Sequence, residues 1–117
     1  MKTDSALHSQ VMDNCLIIKT PEYVNKESGE NIVEEFSKHF DHGIKKLVID
    51  MADSSVVNSI GISFLIEIIE KLNDVSGKMV FCNLEPSIEK TLKIMGLFNF
   101  AATAETVETA VQVLDGK

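Results

Sequence analysis

The stretch Leu47-Val48-Ile49-Asp50-Met51-Ala52-Asp53-Ser54-Ser55-Val56-Val57-Asn58-Ser59-Ile60-Gly61 decides how this chain is read. Leu47–Met51 is a continuous apolar run interrupted only by Asp50, the pattern of a central strand covered on both faces. A short loop follows, and a helix then opens at Ser59 and runs through Ile62-Ser63-Phe64-Leu65-Ile66-Glu67-Ile68-Ile69-Glu70-Lys71-Leu72. A serine on a first helical turn meets backbone N–H groups that lack intrahelical partners, and the positive end of the macrodipole. A phosphate is well tolerated there and a protein partner can read it. A simple helix cap has the same appearance, so position alone leaves both readings open.

A helical wheel of residues 59–74, at about 100° per residue, separates two faces. Phe64, Ile68, Leu72, Leu65, Ile69, Ile62 and Ile66 form a broad apolar arc. Gly61 falls within that arc and permits a close approach of the helix to the sheet. Glu70, Ser63, Asp74, Glu67 and Lys71 form the polar arc, with Ser59 at its edge. Ile60 lies inside the polar arc, beside Glu67 and Lys71. An isoleucine there is either a contact for another protein, an ordinary exposed apolar residue, or one covered by a neighbouring loop.

Working outward, His8–Met12 and Cys15–Lys19 flank Asp13-Asn14, the signature of a β-hairpin. Pro21 ends the second strand. The segment Asn31–Phe40 has apolar residues at 32, 33, 36 and 40 and predicts a helix that Gly43 stops. Beyond the central helix, Gly77 precedes a buried strand at Met79–Cys82. Pro86 suits the first turn of a third helix, whose face is Ile88, Leu92 and Met95 and which Gly96 closes. Leu97–Ala101 predicts a short strand. The last helix is expected from about Thr103, with Glu105 and Glu108 in its first turns and a buried stripe of Val107, Ala110, Val111 and Leu114. Asp115-Gly116-Lys117 reads as a frayed tail. The order predicts a single α/β layered domain over 1–117, with a mixed sheet of four to five strands and about four helices.

Composition narrows the function. The 117 residues are enough for one domain with its own core. A net charge of −7, without a basic run, argues against binding nucleic acid or an anionic membrane. The longest uncharged apolar run, Ile60–Ile66, is far too short to insert in a bilayer, and Met1–Gln10 has no apolar core of a signal peptide. A bacterial-type cytoplasmic protein is expected. Cys15 and Cys82 lie in apolar runs and read as buried, reduced thiols. No phosphate-binding Gly-x-x-x-x-Gly-Lys run and no Gly-x-Ser-x-Gly elbow occurs. His39-Phe40-Asp41-His42 falls short of the three or four ligands of a metal site. Asp50 and Asp53 lack the acid pair that a phospho-acceptor pocket needs at the end of an earlier strand. Asp50 is expected to bond loop amides. The chain reads as a binding module without catalytic groups or cofactor.

With these residues in view, the sequence resembles the STAS family, in particular its stand-alone bacterial anti-sigma factor antagonists. The family pattern is an apolar strand ending in Asp, then eight residues on an Asp-Ser-Ser-Gly or Asp-Ser-Ala-Gly motif that opens a helix. Here Asp50 is followed at that spacing by Asn58-Ser59-Ile60-Gly61, and Met95-Gly96-Leu97-Phe98 resembles the family's Gly-Leu-Phe turn. Asp53-Ser54-Ser55 also spells the start of the motif but lacks its glycine and opens no helix. Two departures stand out. Asn58 replaces the usual acid, and Glu22-Tyr23-Val24-Asn25 stands where the family has a Gly-x-Leu-Asp turn on its partner-binding surface.

The resemblance implies that Ser59 is phosphorylated by a partner serine kinase. It implies a partner face of Asn58, Ser59, Ile60, Ser63, Glu67, Glu22 and Asn25. The expected partners are an anti-sigma factor or serine kinase of GHKL type and a PP2C-type phosphatase. Unphosphorylated chain would bind the kinase-like partner, and phosphorylation would release it. Divergence at residues 22–25 points to a partner other than the best-known sporulation and stress kinases. Two alternatives are a constitutive accessory STAS subunit, for example of a lipid transporter, and a small ligand-binding α/β domain.

Overall fold

The computed structural model describes residues 7–116. Strands β1 (His8–Met12) and β2 (Cys15–Lys19) form the expected hairpin. Its turn residues Asp13 and Asn14 both adopt positive φ, 54° and 65°, the geometry a two-residue hairpin loop requires. A two-residue strand β3 (Tyr23–Val24), helix α1 (Lys26–Phe40) and strand β4 (Lys46–Asp50) follow. Then come β5 (Val56–Val57), α2 (Ser59–Asp74), β6 (Lys78–Cys82), α3 (Pro86–Ile94), a 3₁₀ turn at Leu97–Asn99, β7 (Ala102–Ala104) and α4 (Val107–Leu114).

The main sheet has the order β1-β2-β4-β6-β7, with β1 antiparallel to β2 and the remaining neighbours parallel. Alternation along the strands builds two cores. Leu16, Ile18, Leu47, Ile49, Met79 and Phe81 face α1, α2 and α3 in the larger one. Cys15, Ile17, Val48, Val80 and Cys82 face the opposite way and are covered by Ala110, Val111 and Leu114 of α4. This two-sided cover explains why the middle of β4, Leu47–Ile49, is apolar on both faces. Among the described residues, no helix is long and apolar enough to cross a membrane.

Four expectations need correction. First, α1 begins at Lys26, not Asn31. Asn25 accepts from the Ser28 backbone N–H at 3.1 Å, and the Ser28 hydroxyl accepts from Asn25 N–H at 2.8 Å, a reciprocal cap. The apolar spacing missed this turn because Gly29, packed against the Phe64 ring, is its contact residue. Second, α3 ends at Ile94, and Met95 is exposed and adds nothing to the buried face of Ile88 and Leu92. Third, Leu97–Asn99 is a 3₁₀ turn and the last strand lies further on, where Val80, Phe81 and Cys82 pair with Ala102, Thr103 and Ala104. Helix α4 accordingly starts at Val107, capped by Thr106, and Glu105 precedes it. Alanine-rich sequence favours helix locally, and pairing with β6 overrides that preference. Fourth, Asp115 is not frayed: its N–H reaches Val111 O at 2.9 Å and its carboxylate lies 3.5 Å from Lys46 Nζ. Lys117 and residues 1–6, part of the segment read for a signal peptide, lie outside the described residues.

Candidate functional site

Two loops that leave the strand ends, residues 20–25 and 51–58, meet at the start of α2. Buried hydroxyls hold them together. Thr20 Oγ1 and Ser54 Oγ lie 2.6 Å apart, and the Ser54 hydroxyl also contacts the Pro21 carbonyl. The Glu22 carbonyl accepts from Ser55 N–H at 2.9 Å and Val56 N–H at 3.1 Å. The Val24 carbonyl accepts from Asn58 N–H at 3.0 Å, which completes a second, parallel two-stranded sheet of β3 and β5. Asp50 accepts from Ala52 N–H at 3.1 Å, as its position at the end of the strand predicted, and also from the Asn83 amide at 2.9 Å.

Gly61 allows a close approach, but the neighbour is this small sheet and not the main one. A Cβ there would collide with the Val24 carbonyl. The first turn of α2 is thereby seated on β3.

The cap of α2 is Asn58. Its Oδ1 accepts from Gly61 N–H at 2.8 Å, and its Nδ2 donates to Tyr23 Oη at 3.2 Å. Ser59 is exposed on the first turn, and its hydroxyl makes no hydrogen bond among the described residues. Ile60 is 50% exposed, so it belongs neither to the core nor beneath the Glu22–Asn25 loop. Ser63 is exposed and its hydroxyl returns to Ile60 O at 2.6 Å. Glu67 stands one turn further along, 3.9 Å from Lys71 Nζ. Glu22 is exposed, with a carboxylate oxygen 3.4 Å from the Ser55 hydroxyl. The structure thus gathers Asn58, Ser59, Ile60 and Ser63 at the first turns of α2, while Glu22 lies beside Ser55 at the opposite end of the β3–β5 pairing. Asn25 is half-buried and its side chain is occupied in capping α1.

Sequence reasoning gave Tyr23 no role of its own within the matched segment Glu22–Asn25, and it missed Val56. They are register partners across β3 and β5 and are 45% and 48% exposed. A two-residue strand leaves no periodic signal, and the Tyr23–Asn58 bond joins positions far apart in the chain.

Elsewhere the chemistry is quiet. Among the described residues no group of three or more His, Cys, Asp and Glu is arranged to hold a metal. His39 sits 3.3 Å from Glu35, whose carboxyl is held below its ordinary value chiefly by the Ser9 hydroxyl at 2.6 Å. Cys15 and Cys82 are both buried free thiols. Burial pushes the Cys82 thiol up to about 12 and that of Cys15 in the same direction. Neither is a ready nucleophile, since only the thiolate attacks.

Several known proteins resemble this chain. It is 25% identical over 99 residues to BtrV of Bordetella bronchiseptica, provisionally named an anti-sigma factor antagonist, and the match covers 85% of each chain. The anti-sigma factor antagonist SpoIIAA, in its unphosphorylated form, superposes with a TM-score of 0.81 at 19% identity, covering 96% of this chain and 98% of that one. RsbS of Moorella thermoacetica, solved with a serine-to-glutamate substitution, gives 0.81 at 24% identity, covering 94% and 95%. The STAS-domain family model matches residues 6–110, and with the strand order and helix start described above, the chain belongs to the STAS-domain family.

Proposed function

We propose that this protein is a cytoplasmic, phosphorylation-controlled anti-sigma factor antagonist of a partner-switching pathway, with Ser59 as the phosphorylated residue. Its partners would be a GHKL-type serine kinase or anti-sigma factor and a PP2C-type phosphatase. One observation carries the reading. Asn58 already caps α2, so Ser59 is not needed as a cap and its exposed hydroxyl is unengaged among the described residues. The half-exposed Ile60 beside it supports a protein contact at the same point. The likeness to SpoIIAA and RsbS supports the class of partner.

The switch follows from charge. Phosphate adds about −1.5 to −2 charges, and the first turn, Ser59-Ile60-Gly61-Ile62, has no cation to neutralise them. In the free chain the helix N-terminus tolerates that charge, whereas in a complex it would have to be desolvated. Incubation with the kinase and ATP, followed by mass spectrometry, tests the assignment. Phosphate is expected on Ser59, and phosphate chiefly on Ser54, Ser55 or Ser63 would refute it. Ser59→Ala should keep the kinase-like partner and Ser59→Asp should weaken it. Equal affinities would favour a constitutive subunit.

A further inference from the structure

Asn58 has only one orientation that satisfies its neighbours. Gly61 N–H is a donor and must face Oδ1, so Nδ2 is the atom that meets Tyr23 Oη at 3.2 Å. The Tyr23 hydroxyl therefore accepts from Asn58, and its own hydrogen has no acceptor among the described residues. Tyr23 and Val56 are paired in a parallel register, so their side chains stand on the same side of the small sheet. Both are exposed, as is Ile60 on the adjoining helical turn. The surface beside Ser59 thus presents one neutral O–H donor on an apolar ground.

An aspartate at position 58, the acid of the family pattern, would invert this arrangement. It would still cap Gly61. It would also take the Tyr23 hydrogen and expose a negative charge in place of a free donor.

We infer that Tyr23 and Asn58 together determine partner specificity at the Ser59 face. They select a kinase docking surface that offers a hydrogen-bond acceptor, a carbonyl or carboxylate, set over apolar side chains. They select against one that reads an acid with lysine or arginine. This inference rests on the phospho-switch proposed above for the same site.

The test has two arms. The first uses the protein alone. Tyr23 is the chain's one tyrosine and there is no tryptophan, so tyrosine emission reports this ring only. In Asn58→Asp the phenol should donate to the carboxylate and emission should fall. Unchanged emission would overturn the assigned direction of the bond. The melting temperature of Asn58→Asp should match the wild type, because Asn and Asp cap equally well, and so should that of Tyr23→Phe, because the one bond it loses is exposed to water. The second arm uses the GHKL-type kinase that phosphorylates Ser59, loaded with ATP. Tyr23→Phe and Asn58→Asp should each weaken its binding about fivefold, and the double variant should be no weaker than the worse single variant. Losses that multiply would overturn the inference. A kinase that ignores wild-type Ser59 would instead remove the phospho-switch, and the emission arm would still decide the bond.

Discussion

Helix α2 has exposed apolar surface at both ends, and the two ends differ in what surrounds it. At the start, Ile60 stands beside a serine hydroxyl unengaged among the described residues, with Asn58, Tyr23 and Ser63 bonded into defined positions. Toward the far end, Ile66, Ile69, Met95, Leu97 and Phe100 line a groove of about 230 Å³. Phe100 is 67% exposed and the adjacent Ile94 is 73% exposed, more than Ile60. Area alone would favour the far end. The start is distinguished by preorganisation: buried hydroxyls and β-bridge hydrogen bonds fix its polar groups before any partner arrives, which lowers the cost of binding.

The most disruptive way to break this contrast is to unseat the start of α2. Gly61→Val would drive side-chain atoms into the Val24 carbonyl, part of a hydrogen-bonded backbone with little room to give. A loss of about 3 kcal/mol is expected, the upper end for overpacking because the obstacle is backbone, measured by urea denaturation. A stability near that of the wild type would mean that α2 is not held on β3.

Ser54→Ala removes the hydroxyl that donates to the Pro21 carbonyl and leaves Thr20 with only its longer contact, 3.4 Å to the Asp50 carbonyl. It should cost about 1–3 kcal/mol, the range for stranding a buried polar group. Hydrogen exchange should quicken at Ser55 and Val56, whose N–H groups bond to Glu22 across the two loops.

A paired substitution sharpens the comparison with the smallest effects on the free protein. Ile60→Glu should weaken kinase binding by more than about 1 kcal/mol, while the melting curve of the isolated chain shifts by no more than about 0.5 kcal/mol equivalent. Phe100→Ser, at the more exposed end, should leave that same affinity unchanged in a titration. If the Phe100 variant loses affinity and the Ile60 variant keeps it, the roles of the two ends are reversed.

Much of this was legible in the sequence where signals are local. The central strand, the exact span of α2 and the hairpin turn follow from a continuous apolar run, a 3.6-residue period and a two-residue polar break. The solvent-facing position of Ile60 follows from the same period and agrees with its exposure. The region from Leu97 to Thr106 was misread because its strand exists only through pairing with β6, which its alanine-rich composition does not announce. The start of α1 was misread for a related reason. Its first turn is defined by a polar cap and a glycine against Phe64, neither of which contributes to an apolar stripe.

By itself, then, the sequence determined the order of the principal elements, the layered α/β class, the position of Ser59 on the first turn of α2 and the resemblance to the STAS family. Each depends on spacing along one segment, where residue i and its near neighbours carry the whole signal. Only the tertiary structure decided that Asn58 and not Ser59 is the cap in use, that Gly61 meets the Val24 carbonyl, and that Tyr23 accepts a bond from Asn58 and donates none among the described residues. Those facts depend on two loops, some 35 residues apart in sequence, being drawn together by the Thr20–Ser54 contact and the β3–β5 pairing. Hydrogen-bond direction is a property of the group across the gap, and no local pattern in either loop encodes it.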